Sequence, residues 1–225
     1  MATPPADDFT LEELRLRLAP AIADAAAFDG WGVAALDQAA DAQGVDRDVA
    51  RLAFKQAGEA LPMALIAAWI GAVDQAMAAA LPPEKLAQMK IRERIRSLVQ
   101  FRLDVVAGQE EALRRALAIM AMPRHAPAAL KLGWRSADVM WRLAGDTATD
   151  YNHYTKRAIL ASLYAATLAV FVADESEGKA DTAAFLDRRI EGVMTFEKAK
   201  AQWLGGNREH FSPMRFLGRL RYPAR

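Results

Sequence analysis

Apolar residues recur at steps of three and four along most of this chain. Leu14, Leu18, Ile22 and Ala25 share one side of a 3.6-residue period, which predicts a first helix over residues 11–27. Phe28-Asp29-Gly30-Trp31 interrupts it. A second helix over 33–43 turns Ala35, Leu36 and Ala39 inward. Gly44-Val45 makes a turn, and Asp46 caps a third short helix that runs through Phe54. The fourth helix, over 62–80, carries Ile66, Trp69, Ile70, Val73 and Met77 in one broad stripe. A fifth over 84–107 faces Ile91, Ile95, Leu98 and Leu103 inward. Further helices are predicted over 109–122, 126–144, 150–173 and 179–202, with a short tenth over 210–221. Val, Ile and Thr in period-two alternation are scarce. Prolines stand mainly at candidate helix boundaries: Pro20, Pro62, Pro82, Pro83, Pro123, Pro127 and Pro213. The pattern predicts an all-α fold of about nine to ten helices.

Composition narrows the picture. With 225 residues, 53% of them hydrophobic and 25% charged, the chain can bury a sizeable core. There is no cysteine, which removes disulfides and thiolate metal sites and fits a reducing compartment. Asp74 interrupts the apolar run at 61–81, and the run at 159–173 is short, so no bilayer-spanning helix is expected. The acidic N-terminus lacks an Arg-rich presequence or a signal-peptide core. The expectation from this is a cytoplasmic protein, peripheral on the inner face of the cytoplasmic membrane.

Net charge is +1, but its distribution is uneven. Residues 1–60 hold eleven Asp and Glu against five Lys and Arg, a net −6; residues 198–225 hold seven basic residues against Glu209, a net +6. The three short N-terminal helices, with glycine in the tight connection, resemble the helix-turn-helix head of TetR-type regulators. A DNA reader needs Lys and Arg for phosphates, and only Arg47, Arg51 and Lys55 stand near the third helix. The fold expected is therefore a TetR-like helical bundle with a degenerate N-terminal helix-turn-helix and no nucleic-acid partner. Its expected parts are a head over 1–60, a body over 61–204 and a basic amphipathic tail over 205–225. A TetR-type regulator binding DNA and a hydrophobic effector is the alternative reading.

Catalytic signatures are missing. There is no G-x-S-x-G, G-x-G-x-x-G or G-K-[ST], and only Asp150-x-x-His153 approaches the Glu-x-x-His spacing of a di-iron bundle. No catalytic residue, metal site or cofactor is expected. The run Asp174-Glu175-Ser176-Glu177 reads as a solvated turn between helices. In the tail, Phe211, Met214, Phe216, Leu217 and Leu220 alternate with arginines that include Arg215 and Arg219. Such a makeup suits an interfacial helix on an anionic membrane surface.

The segment 134–160, WRSADVMWRLAGDTATDYNHYTKRAIL, is the most specific in the chain. Gly145 suits a helix end, and Thr149 or Asp150 suits the cap of the next helix. Trp141, Gly145, Asp146, Thr149, Asp150, Tyr151, Asn152, Tyr154, Thr155 and Arg157 follow the signature of the ubiquinone biosynthesis accessory protein that is ninth in the Coq series. The resemblance also takes in KIRERIR at 90–96, AFLDRRI at 184–190 and FEKAKA at 196–201.

What this resemblance implies is a non-enzymatic, lipid-binding body. It would present an isoprenoid quinone intermediate, or hold a phospholipid, for demethoxyubiquinone hydroxylase. The inward apolar residues Trp69, Ile70, Val73, Met77, Leu98, Met120, Trp134, Leu163, Leu168 and Phe171 then become candidate lipid contacts. Met140, Trp141, Asp150, Tyr151, His153, Tyr154 and Arg157 become candidate partner contacts. His153 stands where the family often has tryptophan, a strong interface residue. TetR-like bodies pair through their last two long helices, so a homodimer is expected.

Overall fold

The computed structural model describes residues 9–55, 60–147 and 151–205. Ten α-helices follow in order: α1 (Leu11–Asp29), α2 (Val33–Ala42), α3 (Arg47–Phe54), α4 (Leu61–Ala80), α5 (Pro83–Leu86), α6 (Ile91–Val105), α7 (Glu110–Met120), α8 (Ala126–Leu143), α9 (Tyr151–Phe171) and α10 (Ala180–Gly205). No strand occurs among the described residues, as the 3.6-residue pattern requires. The chain divides into two compact units, Met1–Asp187 and Arg188–Arg225. In the second, residues 188–205 are helical.

The head forms where the sequence places its caps. Thr10 Oγ1 accepts from the Glu13 N–H (3.3 Å) while Glu13 Oε2 accepts from the Thr10 N–H (2.9 Å), a reciprocal cap that starts α1. Asp46 Oδ1 accepts from the N–H groups of Asp48 (2.9 Å) and Val49 (3.1 Å) and starts α3. Between α2 and α3, Gly44 takes φ +65°, a left-handed conformation that costs glycine nothing. Leu18, Ile22, Leu36, Ala39, Ala50 and Phe54 bury the inner faces of the three helices. Trp31 joins this head to the body. Its indole N–H donates to the Ala112 carbonyl at 2.9 Å, and its ring lies 5.3 Å from that of Trp69 on α4.

Two sequence expectations are corrected. The helix expected over 84–107 is two helices, α5 and α6. Lys90 is extended and donates its N–H to Glu93 Oε2 (3.0 Å), which opens α6 afresh. Arg94 then donates to the carbonyls of Ala87 and Met89, satisfying the turn between the two helices. Pro20 lies inside α1 instead of at its edge, so the Leu16 carbonyl loses its usual helical donor. By length and composition α4 is long and apolar enough to cross a membrane, but Asp74 interrupts it as the sequence indicates and is buried in an ion pair with Arg102. It is the central helix of the bundle.

The acidic run after α9 is a turn, but not the solvated one expected, since Asp174 is buried in it. Asp174 accepts from the Ser176 and Thr182 hydroxyls and from both of their N–H groups. These donors, the Ser176 hydroxyl foremost, hold its carboxyl well below the ordinary range, and the carboxylate fixes the entry to α10.

Candidate functional site

Helices α4, α7, α8 and α9 enclose a cavity of about 620 Å³, within the span of about 300–1,000 Å³ common to small-molecule sites. The α4 stripe supplies Ile66, Trp69, Ile70 and Val73; α7 supplies Leu113, Leu117 and Met120; α8 and α9 supply Trp134, Ala161 and Leu168. Its walls are almost wholly apolar, and α9 lends small side chains, Ala158, Ala161, Ser162 and Ala165, at steps of three and four. That spacing leaves room where larger residues would fill the core.

Six of the expected lipid contacts line this space: Trp69, Ile70, Val73, Met120, Trp134 and Leu168. Met77, Leu98, Leu163 and Phe171 do not. All four are buried, but they pack between helices away from the cavity, because a helix's buried stripe is wider than the part of it that meets one void.

One polar group in the wall was not anticipated. Arg102 on α6 is 2% exposed and lines the cavity. Its guanidinium donates to Asp74 Oδ1 and, at 3.2 Å, to Ser136 Oγ, and lies 4.9 Å from the centre of the Tyr164 ring. Burial pushes the Asp74 carboxyl above its usual range, against the pull of the neighbouring arginine. Asp74 Oδ2 and Arg102 Nε have no hydrogen-bond partner among the described residues. The one sign of this pair in the sequence is Asp74, a lone carboxylate in an apolar helix.

Beside the cavity, α8 ends in a left-handed cap. Gly145 takes φ +87°. Its N–H donates to the Arg142 carbonyl (3.0 Å) and that of Asp146 to the Trp141 carbonyl (2.9 Å), the paired bonds of a Schellman end. A Cβ on Gly145 would stand 3.2 Å from an Arg94 nitrogen that bonds the Ala144 carbonyl. The returning helix α9 is locked onto this corner by charge. Arg157 bonds Asp138 (2.6 Å), Asp146 (3.1 Å) and the His153 carbonyl (3.1 Å), and Lys156 bonds Asp146 (2.7 Å). Trp141 donates its indole N–H to the Lys156 carbonyl at 3.0 Å.

The candidate partner contacts divide accordingly. Tyr154 is 61% exposed, with His153 edge-on beside it and Trp134 at 6.0 Å between ring centres. Trp141 is half-buried. Met140 and Arg157 are corrected: they are 0% and 2% exposed, so neither presents a surface. Steps of three and four place Arg157 beside His153 and Tyr154, but the α8 carboxylates draw its guanidinium inward. Tyr151 opens α9. Asp150 and the whole tail set of Phe211, Met214, Arg215, Phe216, Leu217, Arg219 and Leu220 lie outside the described residues.

In the head, Arg47 is paired with Asp41 (2.5 Å) and Arg51 with Asp37 (2.6 Å) of α2. Each bond is part of a two-pronged contact. Two of the three basic groups near α3 are thus already engaged by carboxylates, in a region of net −6. Purified protein is expected to leave a random duplex unretarded in a gel-shift at low salt, since non-specific affinity comes mostly from phosphate contacts. Tight, salt-sensitive retardation would restore the regulator reading.

A family model described as COQ9 matches residues 126–197, from the start of α8 into α10. The human mitochondrial ubiquinone biosynthesis protein COQ9 is 31% identical over 190 residues, which covers 81% of this chain and 58% of that protein. The Xenopus laevis protein COQ9-B is 37% identical over 108 residues, covering 48% of this chain and 37% of its own length. The chain thus spans less than two thirds of these relatives. Among solved structures, a TetR transcriptional regulator from Nitrosomonas europaea superimposes with a TM-score of 0.62 at 22% identity, over 80% of this chain and 97% of that one. That likeness shows the fold. The relatives are named as mitochondrial proteins, which overturns the expected placement in the cytoplasm at a cytoplasmic membrane. The matched segment runs through the capped corner and two walls of the cavity; in sequence the chain resembles the COQ9 family of ubiquinone biosynthesis proteins, and its fold is a TetR-like helical bundle.

Proposed function

We propose that this protein is a non-enzymatic accessory of ubiquinone biosynthesis that holds the apolar tail of a lipid intermediate and presents its head group to demethoxyubiquinone hydroxylase. The observation that carries this reading is the cavity, about 620 Å³ and lined almost entirely by hydrocarbon. A polyprenylated quinone is nearly insoluble, and each buried CH₂ contributes about 0.8 kcal/mol. A protein that encloses part of the tail lowers the free energy of lifting the head group from a bilayer. The basic tail over 205–225 adds attraction to an anionic membrane, about 1 kcal/mol for each Lys or Arg near the surface, and pairing of two copies through the last two long helices belongs to the same reading.

The hydroxylase docks, on this account, at the exposed rings of the α8–α9 corner. A His153→Ala/Tyr154→Ala double variant is expected to keep its melting temperature, since surface substitutions move stability by under about 0.5 kcal/mol. It is expected to lose hydroxylase binding in a pull-down, and cells carrying it should accumulate demethoxyubiquinone. Unchanged binding at unchanged stability would remove the docking assignment.

A further inference from the structure

Helix α4 separates the cavity from a second recess. Its large residues, Ile66, Trp69 and Val73 among them, face the cavity. On another side of the same helix, Ala64, Ala67, Ala68 and Gly71 floor a recess of about 530 Å³ between α1 and α8. Steps of three and four set these four residues side by side, and with no long side chain among them the floor is flat. Leu16 of α1 and Leu132 of α8 line the same space. Leu16 closes over one end of the floor, where a Cβ on Gly71 would lie 3.1 Å from its Cδ2. That end is narrow and admits a flat group more easily than a branched one.

The polar groups of the recess are of two kinds. Asp74 follows Gly71 by one step of three and lines the recess, while Arg102, which bonds its Oδ1, lines the cavity on the far side. The Asp74 side chain is 9% exposed, and its Oδ2 accepts no hydrogen bond among the described residues. A buried carboxylate oxygen without a donor is costly, and the recess is the side from which a ligand can bring one. Burial pushes this carboxyl up; among the charges that oppose the rise are Arg102 and, from the recess, Arg135. Lys131 and Arg135, one turn apart on α8, are exposed, line the recess and hold no ion pair among the described residues. Arg15, bonded to the Leu11 carbonyl (3.3 Å), and Glu12 line it from α1. Three cations against two carboxylates leave the lining one positive charge in excess.

We propose that this recess binds a flat organic acid that carries a hydroxyl set apart from its carboxylate. The carboxylate meets Lys131 and Arg135 and balances the excess charge. The flat middle of the molecule covers the small residues of α4, and the hydroxyl donates to Asp74 Oδ2. A donor to an ionised acceptor makes one of the stronger hydrogen bonds. A neutral hydroxyl suits this position better than an ammonium, which would add a positive charge where Arg102 and Arg135 already act on the same carboxylate. The recess is a site apart from the cavity, and its ligand is independent of whatever the cavity holds.

Calorimetric titration of the full chain with 4-hydroxybenzoate, a small molecule of this class, is the test, and saturable binding is expected. Benzoate lacks the hydroxyl and 4-hydroxybenzamide lacks the charge; each is expected to bind about tenfold more weakly. These analogues probe the Asp74 contact without disturbing its pair with Arg102. A Lys131→Gln/Arg135→Gln variant removes two exposed charges, is expected to keep its melting temperature, and is expected to bind 4-hydroxybenzoate about tenfold more weakly. A folded Ala161→Trp variant, with the cavity filled from α9, is expected to bind it as the parent does. No binding of 4-hydroxybenzoate at millimolar concentration, equal binding of benzoate, or unchanged binding by the Lys131 and Arg135 variant overturns the proposal. Loss of binding in the folded Ala161→Trp variant places the acid in the cavity and overturns it as well.

Discussion

Arg157→Ala is expected to destabilise the fold by about 3–5 kcal/mol, the usual result of removing one partner from a buried ion pair. The guanidinium is 2% exposed and lies between Asp138 and Asp146. Without it, the Asp146 carboxylate, 4% exposed, loses one of its cationic partners, and the His153 carbonyl loses a donor. Thermal unfolding followed by circular dichroism should show a large fall in melting temperature. The contrast with the His153 and Tyr154 variant, expected to be stable, separates the groups that build the corner from those that face outward. A stable Arg157→Ala protein would mean that the charge cluster is not what holds α9 on α8.

Asp74→Leu is expected to show a loss of similar size, for a related reason. Arg102 keeps its charge at any ordinary pH, so the substitution leaves a cation in a hydrocarbon wall with Ser136 and Tyr164 beside it but no carboxylate to balance it. A double change, Asp74→Leu with Arg102→Met, removes both charges and is expected to restore most of the stability, because a buried pair replaced by packed apolar groups is often neutral or stabilising. Urea titrations of the two variants against the parent measure this. A double variant as unstable as the single one would show that the pair supplies something packing cannot, such as the shape of the cavity wall.

The fold was legible because each level of the sequence agreed with the next. The apolar period, the cap at Asp46 and the glycine at 145 all reappear as the ends and faces of real helices. The cavity residues were legible as an apolar stripe, but a stripe shows only what faces inward. It does not separate Trp69, which lines a void, from Met77, two turns along the same helix, which fills the core. That distinction depends on small residues of another element, Ala161 and Ala165 of α9, failing to fill the space opposite. Arg157 was misplaced for a comparable reason. Helical spacing put it beside Tyr154, while the carboxylates that turn it inward belong to α8 and to the turn after it. The Asp74–Arg102 pair joins residues 28 positions apart on two helices, and neither local period announces it.

The proposed function requires that the cavity hold the apolar part of a lipid. The direct measurement is mass spectrometry of the solvent extract from purified full-length protein, compared with an Ala161→Trp variant that fills the cavity from α9. The parent is expected to yield a stoichiometric lipid with a long prenyl or acyl chain, and the variant to yield little of it at a similar melting temperature. A lipid-free parent, or equal lipid in a stable Ala161→Trp protein, would contradict the account.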